Sequence, residues 1–420
     1  VQVNNQWKWM LWIIAAAFYF YEFVLQMSSG VLVEPLSKEF ILNATAIGFM
    51  GAIYFYSYAL MQLPAGYLLD QFGLQKILSC AAGFCALGSF ILYLSPNYYW
   101  ILFARFITAI GSAFAFLGAL KAAEHSFSSE RFAFVSGLTF TIGMLGAIFA
   151  KVPLAFFIDR FGWRTVMLFA ALIGLGLAAL IFLVFKKVGR IDDASSEMTN
   201  QEQIHLKDFI SVFKNSNNWK AAFFGGLMIS PMLTLVGLWG EKYLMDVNSY
   251  THVKAAGIIS LLFVGFAIGS PLAGWLSDKT KSRTLSMFIS ALGSLICFIF
   301  TFYLNLPDLQ IFMMFFLGFF TGFSITVFAL VKDSNPEEIS ATAMGFANLM
   351  NMIIGAISQT LVEIFLDYLW TGGKEGAVRI YSLDNYRMAF LTLLLSIISA
   401  LILVFFIDEP VKSTSDSPLQ

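Results

Sequence analysis

Charge is what this sequence has least of. Charged residues fill 12% of its 420 positions, about half the share found in an ordinary soluble chain. The few present nearly cancel, with 25 Lys and Arg against 26 Asp and Glu. There is no basic surplus to neutralise phosphates, so a nucleic-acid partner is not expected. Cysteine and histidine are scarce as well. Cys80, Cys85 and Cys297 all stand inside apolar runs, and His125, His205 and His252 are far apart, so neither a disulfide framework nor a zinc site is expected. No G-x-x-x-x-G-K-[ST] loop and no H-E-x-x-H pair occurs, which argues against ATP-driven pumping and metalloprotease chemistry. The segment GLGLAA, Gly174 to Ala179, spells a dinucleotide fingerprint but lies within an apolar run instead of following a strand. The chain is read as a non-enzyme with no cofactor and no bound metal.

Apolar residues are present in abundance. They make up 59% of the chain, and the mean hydropathy is +0.77. They fall into runs of roughly 20, the length an α-helix needs to cross about 30 Å of hydrocarbon. Twelve runs are predicted, at 9–33, 45–69, 76–95, 98–121, 133–157, 163–187, 219–240, 255–276, 284–304, 310–331, 341–367 and 387–407. The fold class is therefore an all-α membrane protein of twelve transmembrane helices. Short loops separate most runs, while the polar stretch GRIDDASSEMTNQEQIHLKDF divides the chain in two. The expected organisation is an N-terminal six-helix bundle at 1–187 and a linker with a short surface helix at 188–218. A C-terminal six-helix bundle at 219–410 and a tail at 411–420 follow. The first run is too long for a secretory signal peptide and lacks its cleavage site, so it is read as a permanent span. The Lys/Arg-rich segments, among them Lys186, Lys187, Arg190, Lys279, Lys281 and Arg283, fall on one side if both termini and the linker are cytoplasmic.

The two halves repeat. GYLLDQFG after the second run carries Gly66, Asp70 and Gly73; GWLSDKTK after the eighth carries Gly274 and Asp278. Both the glycine pair and the aspartate pair are offset by 208 residues. The glycine lets a helix end approach a neighbour, and an aspartate four residues later can accept hydrogen bonds from a helix N-terminus or an arginine. Parallel repeats of this kind build many secondary transporters.

On these residues the chain resembles the major facilitator superfamily over essentially its whole length. GYLLDQFGLQK is similar to the family's signature between the second and third helices, with Gly66, Leu68, Asp70 and Gly73 in place. Gln71 and Leu74 stand where the family usually has basic residues, which implies a weaker or rebuilt ion-pair latch. LFARFITAIGSA resembles the fourth-helix signature through Arg105 and Gly111. Gly137, Gly143 and Gly146, followed by Pro153 and DRFGWR, resemble the family's glycine-rich fifth helix and the turn after it. The resemblance implies two pseudo-symmetric six-helix bundles that rock about a central site, with Gly66, Asp70, Gly73, Gly274 and Asp278 as gating motif. It says little about cargo, because the scaffold serves many.

Charge inside a span is the remaining clue. One ionised side chain at a helix centre costs about 2.5–3.5 kcal/mol on insertion scales and usually has a function. Glu22 sits near the middle of the first run, with Tyr19, Gln26 and Ser29 on its own face at spacings of three, four and seven. Arg105 lies about seven residues into the fourth run, within reach of Glu22 in height, and Lys151 stands just before Pro153. If all three face one cavity, two cations meet one carboxylate, and an anionic cargo group supplies the missing charge. Glu22 and Arg105 are the expected proton-coupling pair. Tyr19, Gln26, Lys151, Trp239, Asn348 and Asn351 are the expected cargo-binding residues. Ser230 and Met313 occupy the positions that the 208 offset aligns with Glu22 and Arg105, so coupling is expected to reside in the first half. Lys121 and Glu124, three apart, can pair as a gate or a surface bridge.

The function expected is a proton symporter importing a small, carboxylate-bearing solute across a bacterial inner membrane by alternating access. The protein's partners would be that solute, protons and the bilayer, and the chain would act as a monomer. YEFVLQMSSGV also resembles nutrient transporters of intracellular bacteria, which carry amino acids or iron chelates. Proton antiport exporting a drug or metabolite, and a transporter-like receptor without turnover, are the alternatives.

Overall fold

The computed structural model describes residues 5–42, 44–193, 206–304, 307–370, 374–375 and 378–409. Residues 194–205 of the expected linker and the expected tail at 411–420 lie outside these. The described chain is helical apart from loops and one antiparallel pair of two-residue strands, β1 (Lys374–Glu375) and β2 (Val378–Arg379). In chain order the helices begin α1 (Asn5–Phe40), α2 (Ala44–Phe72), α3 (Leu74–Leu94), α4 (Tyr98–Ser126), α5 (Ser129–Phe149), α6 (Val152–Phe161), α7 (Trp163–Asp193) and α8 (Leu206–Lys214). They continue with α9 (Ser216–Thr234), α10 (Gly240–Asn248), α11 (His252–Thr280), α12 (Arg283–Phe302), α13 (Pro307–Gly322), α14 (Thr326–Asp333), α15 (Ser340–Leu369) and α16 (Leu383–Leu403). Eleven helical stretches among the described residues are long and apolar enough to cross a membrane, so this is a multi-pass membrane protein. Where the sequence predicts the remaining span stands α2, an unbroken 29-residue helix that carries Tyr54, Tyr56, Tyr58 and Gln62.

Local chemistry explains where the helices start, stop and deviate. Asn97 caps α4, its side chain accepting from the amides of Tyr99 and Trp100, and Ser382 with Asn385 forms a reciprocal capping box on α16. Gly73 and Gly162 both hold φ at +80°, the region a Cβ disfavours. Each follows the same Asp-x-Phe spelling and turns the chain sharply from α2 into α3 and from α6 into α7. The predicted seventh and tenth spans are not regular throughout. A π-helical turn, Leu235–Trp239, joins α9 to α10, and a 3₁₀ turn, Phe323–Ile325, joins α13 to α14. α1 runs on to Phe40, where Glu39 accepts hydrogen bonds from Trp163 Nε1 (2.9 Å) and from Arg164.

The contacts divide the chain into two compact units. The first comprises Val1–Ser128, Leu138–Ile210 and Glu338–Leu349; the second comprises Ser129–Gly137, Ser211–Glu337 and Met350–Gln420. The grouping thus crosses the 188–218 boundary expected from sequence at two short segments, 129–137 and 338–349. In the first unit α3 meets α4 backbone to backbone. A Cβ on Gly88 would overlap Thr108 Oγ1, and one on Gly111 would lie 2.5 Å from the Ala81 carbonyl. In the second unit Gly265 and Gly269 of α11 and Gly318 of α13 do the same, each so close to a facing carbonyl that a Cβ would overlap it. Small residues are what such crossings need in lipid, where helices associate by close van der Waals packing instead of by expelling water. A cluster of aromatic rings, Tyr243, Phe302, Tyr386 and Phe390, fills one region of the second unit.

Candidate functional site

The first unit buries an acid and a base next to each other without pairing them. Glu22, on α1, is 1% exposed, and Arg105, on α4, is 4% exposed. The 3–4–7 stripe read from the sequence does face inward: Tyr19 and Gln26 are buried with Glu22, and Ser29 is partly buried. The Glu22 carboxylate accepts a hydrogen bond from Tyr54 Oη of α2 at 2.9 Å. Arg105 points one helical turn further along α1. Its Nη1 donates to the Leu25 carbonyl at 3.0 Å, and its Nη2 donates to the Gln26 carbonyl at 3.5 Å and to Ser29 Oγ. Its Nε is buried with no hydrogen-bond partner. Among the described residues no carboxylate lies within 4.0 Å of the guanidinium. What joins the two charges is Tyr54, whose ring centroid lies 4.4 Å from Arg105 Cζ.

More of α2 lines this region. Tyr58 stacks on Tyr54 with centroids 6.3 Å apart and planes inclined by 13°, and the Tyr58 hydroxyl lies beside Asn348 and Gln62. Asn348 Nδ2 donates to Gln62 Oε1 at 2.8 Å, while Gln62 Nε2 is buried without a partner. Tyr54, Tyr58 and Gln62 follow one another at spacings of four, which places them on one face of α2. That i, i+4, i+8 stripe was in the sequence to be read, and no motif drew attention to it. Tyr19 completes the surround, packing edge-on to Phe23 and fitting against Gly143, where a Cβ would come within 2.6 Å of its ring.

Lys151 is not part of this cluster. The predicted fifth span breaks at Ala150 and Lys151, because Pro153 opens the new helix α6 and cannot continue the old one. Lys151 caps α6 and is exposed. The expectation of two cations around one carboxylate is therefore corrected to one of each. A direct Glu22–Arg105 pair is likewise absent, because the guanidinium is turned to the α1 backbone.

In the second unit the candidate residues are neutral. Trp239 ends the π-helical turn, is 9% exposed and packs edge-on to Tyr381 at 6.0 Å. Its Nε1 has no hydrogen-bond partner, nor have Thr234 Oγ1 and Asn351 Oδ1. Asn351 lies against Gly225, where a Cβ would sit 2.8 Å from its Oδ1.

The repeated Gly/Asp motif is used twice in the same manner. In the first unit Asp70 accepts from the amides of Ala341 (3.2 Å) and Thr342 (2.8 Å), both in the first turn of α15, where unpaired N–H groups favour an anion. Gly66 permits the approach, since a Cβ there would lie 2.6 Å from the Ala341 carbonyl. In the second unit Asp278 accepts from the Phe134 amide (2.9 Å), and a Cβ on Gly274 would overlap the Ala133 carbonyl. Positions 133 and 134 precede 341 and 342 by the same 208 residues, so the recipients of the motif repeat as well as the motif.

The basic partners differ between the copies. Asp278 pairs with Arg283 (2.5 Å), which also reaches Asp333 (3.1 Å) and the Ser129 carbonyl. Asp70 lacks a basic residue at positions 71 and 74, and Lys121 of α4 takes that place, lying 3.1 Å from Asp70 and 3.1 Å from Glu124. Lys121 also donates to Ser340 Oγ (2.6 Å). Replacing Gly66 by Ala should overpack this contact, at a cost of about 1–3 kcal/mol. Thermal unfolding of detergent-purified protein should show a clearly lower midpoint for Gly66→Ala and for Gly274→Ala, and no drop in midpoint for alanine at Gly83 within α3, where a Cβ meets nothing within 4 Å and helix propensity favours alanine.

Comparison with known proteins follows the same lines. A family model described as Major Facilitator Superfamily matches residues 11–359. The probable sulfoacetate transporter SauU of Cupriavidus necator is 22% identical, over 63% of this chain and 64% of its own length. The chain thus spans just under two thirds of that relative. The probable galactarate/D-glucarate transporters GarP of Escherichia coli K12 and GudP of Bacillus subtilis 168 are each 23% identical. Those matches cover 80% and 82% of this chain and 82% of each relative. Among solved structures, the transporter FucP in its outward conformation superposes with a TM-score of 0.72 at 16% identity, over 95% of this chain and 99% of that chain.

Proposed function

Because the chain belongs to the major facilitator superfamily, we propose that it is a secondary transporter that carries a small organic anion together with a proton. The observation behind this reading is the state of Arg105: buried, held by neutral acceptors, with Nε unpartnered and no carboxylate in ion-pair contact among the described residues. An uncompensated buried cation costs several kcal/mol. Guanidinium cannot shed its charge, so the compensating anion comes from the cargo.

The charge count supports coupling to a proton. With Glu22 ionised, the buried pair sums to zero and a cargo anion would bring one negative charge too many. With Glu22 protonated, Arg105 stands alone and a cargo carboxylate or sulfonate balances it. Anion and proton then enter together, as neither occupancy is favourable without the other. The names of the relatives point to the same chemistry, because sulfoacetate, galactarate and D-glucarate all carry a carboxylate or sulfonate for Arg105 to hold; each is a dianion near neutral pH, and its second charge needs balance beyond the Glu22–Arg105 pair. The unpartnered Thr234 Oγ1, Trp239 Nε1 and Asn351 Oδ1 of the second unit are neutral donors and acceptors of the kind a hydroxylated cargo needs. Alternating access requires the Gly66–Asp70 and Gly274–Asp278 contacts to break and reform, which gives the two latches their role.

Purified protein in liposomes loaded with a pH-sensitive dye tests the reading. Adding D-glucarate, D-galactarate or sulfoacetate outside should acidify the lumen, and the uncharged polyol D-glucitol should not. Equal movement of D-glucitol, or anion uptake without proton entry, would overturn it.

A further inference from the structure

The triad Glu22, Tyr54 and Arg105 contains more than a binding site. We propose that Tyr54 is the positioning residue through which protonation of Glu22 makes Arg105 available to a cargo anion. The inference rests on the anion–proton symport reading and names the part that joins its two halves.

Tyr54 is fully buried and touches both charges with different parts of one rigid side chain. Its hydroxyl donates to Glu22 at 2.9 Å, and the face of its ring lies under the Arg105 guanidinium at 4.4 Å. A displacement of the hydroxyl oxygen displaces the ring as well, since the two belong to one rigid group. The groups facing Glu22 are Tyr19 on its own helix, Tyr54 and Tyr58 on α2, Cys85 on α3, and, one turn away, Arg105 on α4. α5 meets α1 at Gly143 and Gly146, and α7 meets it at Gly174. Neither helix brings a titratable group to Glu22 among the described residues.

Consider the two protonation states. While Glu22 is a carboxylate, its bond from Tyr54 is charge-assisted and roughly twice as strong as a neutral one. The ring is then fixed flat beneath Arg105, where a desolvated cation–π contact holds the guanidinium. The guanidinium stays on the α1 carbonyls. When the carboxylate binds a proton, the charge that held the Tyr54 hydroxyl is gone. A second hydrogen-bonding group stands beside that hydroxyl, Ser112 Oγ of α4, so the phenol can change partner without being stranded. A ring no longer pinned at its hydroxyl by a charged acceptor is free to tilt off the guanidinium. Arg105 then loses its cation–π contact, and its unpartnered Nε and both Nη groups can present a fork to an incoming carboxylate or sulfonate. The proton is the switch, and the tyrosine carries its effect about one helical turn along α1.

The test is the pH dependence of KM in liposomes, with D-glucarate, D-galactarate and sulfoacetate as probes. In the unaltered protein, KM for the transported anion should fall at least about tenfold between external pH 9 and pH 6, because the anion binds only while Glu22 carries its proton. Tyr54→Phe keeps the ring and loses the hydroxyl, and should compress that change to less than about twofold. A difluorotyrosine placed at position 54 preserves shape and fold but strengthens the donor; it should move the pH midpoint of KM by at least about half a unit. The same residue at the exposed Tyr99 should leave the midpoint in place. A full pH dependence in Tyr54→Phe, or an unmoved midpoint with difluorotyrosine at 54, overturns the role of Tyr54 and leaves anion symport standing. Failure of the unaltered protein to move any of the three anions overturns both.

Discussion

Replacing Arg105 by Gln should raise the apparent KM for the transported anion about thirtyfold or more. The magnitude follows from the geometry. Removing one partner of a buried, hydrogen-bonded charge pair costs about 2–5 kcal/mol, and each 1.4 kcal/mol is a factor of about ten. Arg105→Lys should fail to restore uptake, although it keeps the charge. A lysine ammonium is a compact point charge on a flexible stem. It cannot span the Leu25 carbonyl and Ser29 Oγ while lying flat over Tyr54, as the planar guanidinium does. The fold should survive both changes, because Leu25 and Gln26 lie within the α1 helix, whose own N–H groups serve their carbonyls. Uptake kinetics of the purified variants, with size-exclusion profiles as the check on folding, measure this. Near-normal KM in Arg105→Lys would mean that the site needs only a positive charge.

Glu22→Gln should abolish accumulation while leaving exchange. A glutamine can still accept the Tyr54 hydrogen bond through its amide oxygen but cannot gain or lose a proton. With one proton per anion, a gradient of one pH unit sustains about a tenfold concentration ratio. The variant should settle at a ratio of about one whatever the gradient. Counterflow of labelled anion against unlabelled anion should continue, since the neutral amide imitates the protonated acid to which the cargo binds. Concentrative uptake by Glu22→Gln would move the proton site elsewhere in the chain.

These two residues were legible in the sequence because insertion of charge into an apolar run is costly and therefore selective. The stripe Tyr19, Glu22, Gln26 and Ser29 needed only helical periodicity, and the structure buries the first three. The relation between Glu22 and Arg105 was not legible. Sequence height brings them to one level, yet the side chains settle a turn apart, and the residue between them is contributed by α2. Tyr54 looked like one tyrosine among several; only packing distinguishes it from Tyr56, which is 68% exposed. Lys151 was misplaced for a related reason. Counting residues along a span gives depth, but Pro153 breaks the helix two residues later and turns the lysine outward.

The latches divide in the same way. The 208-residue offset of Gly66 and Asp70 from Gly274 and Asp278 could be read directly. The substitution of Lys121 for the basic residues missing at 71 and 74 could not, because Lys121 is 51 residues from Asp70 in the chain and reaches it only through helix packing. The sequence by itself determined that the chain crosses a membrane many times, that its halves repeat, and that Glu22 and Arg105 stand inside apolar runs, since these depend on period and polarity along one strand of chain. The tertiary structure decided which groups meet. A hydrogen bond or ring contact depends on ångström-scale placement of side chains from different helices, and that placement is set by close-packed glycine crossings and a proline break, not by spacing within any single run.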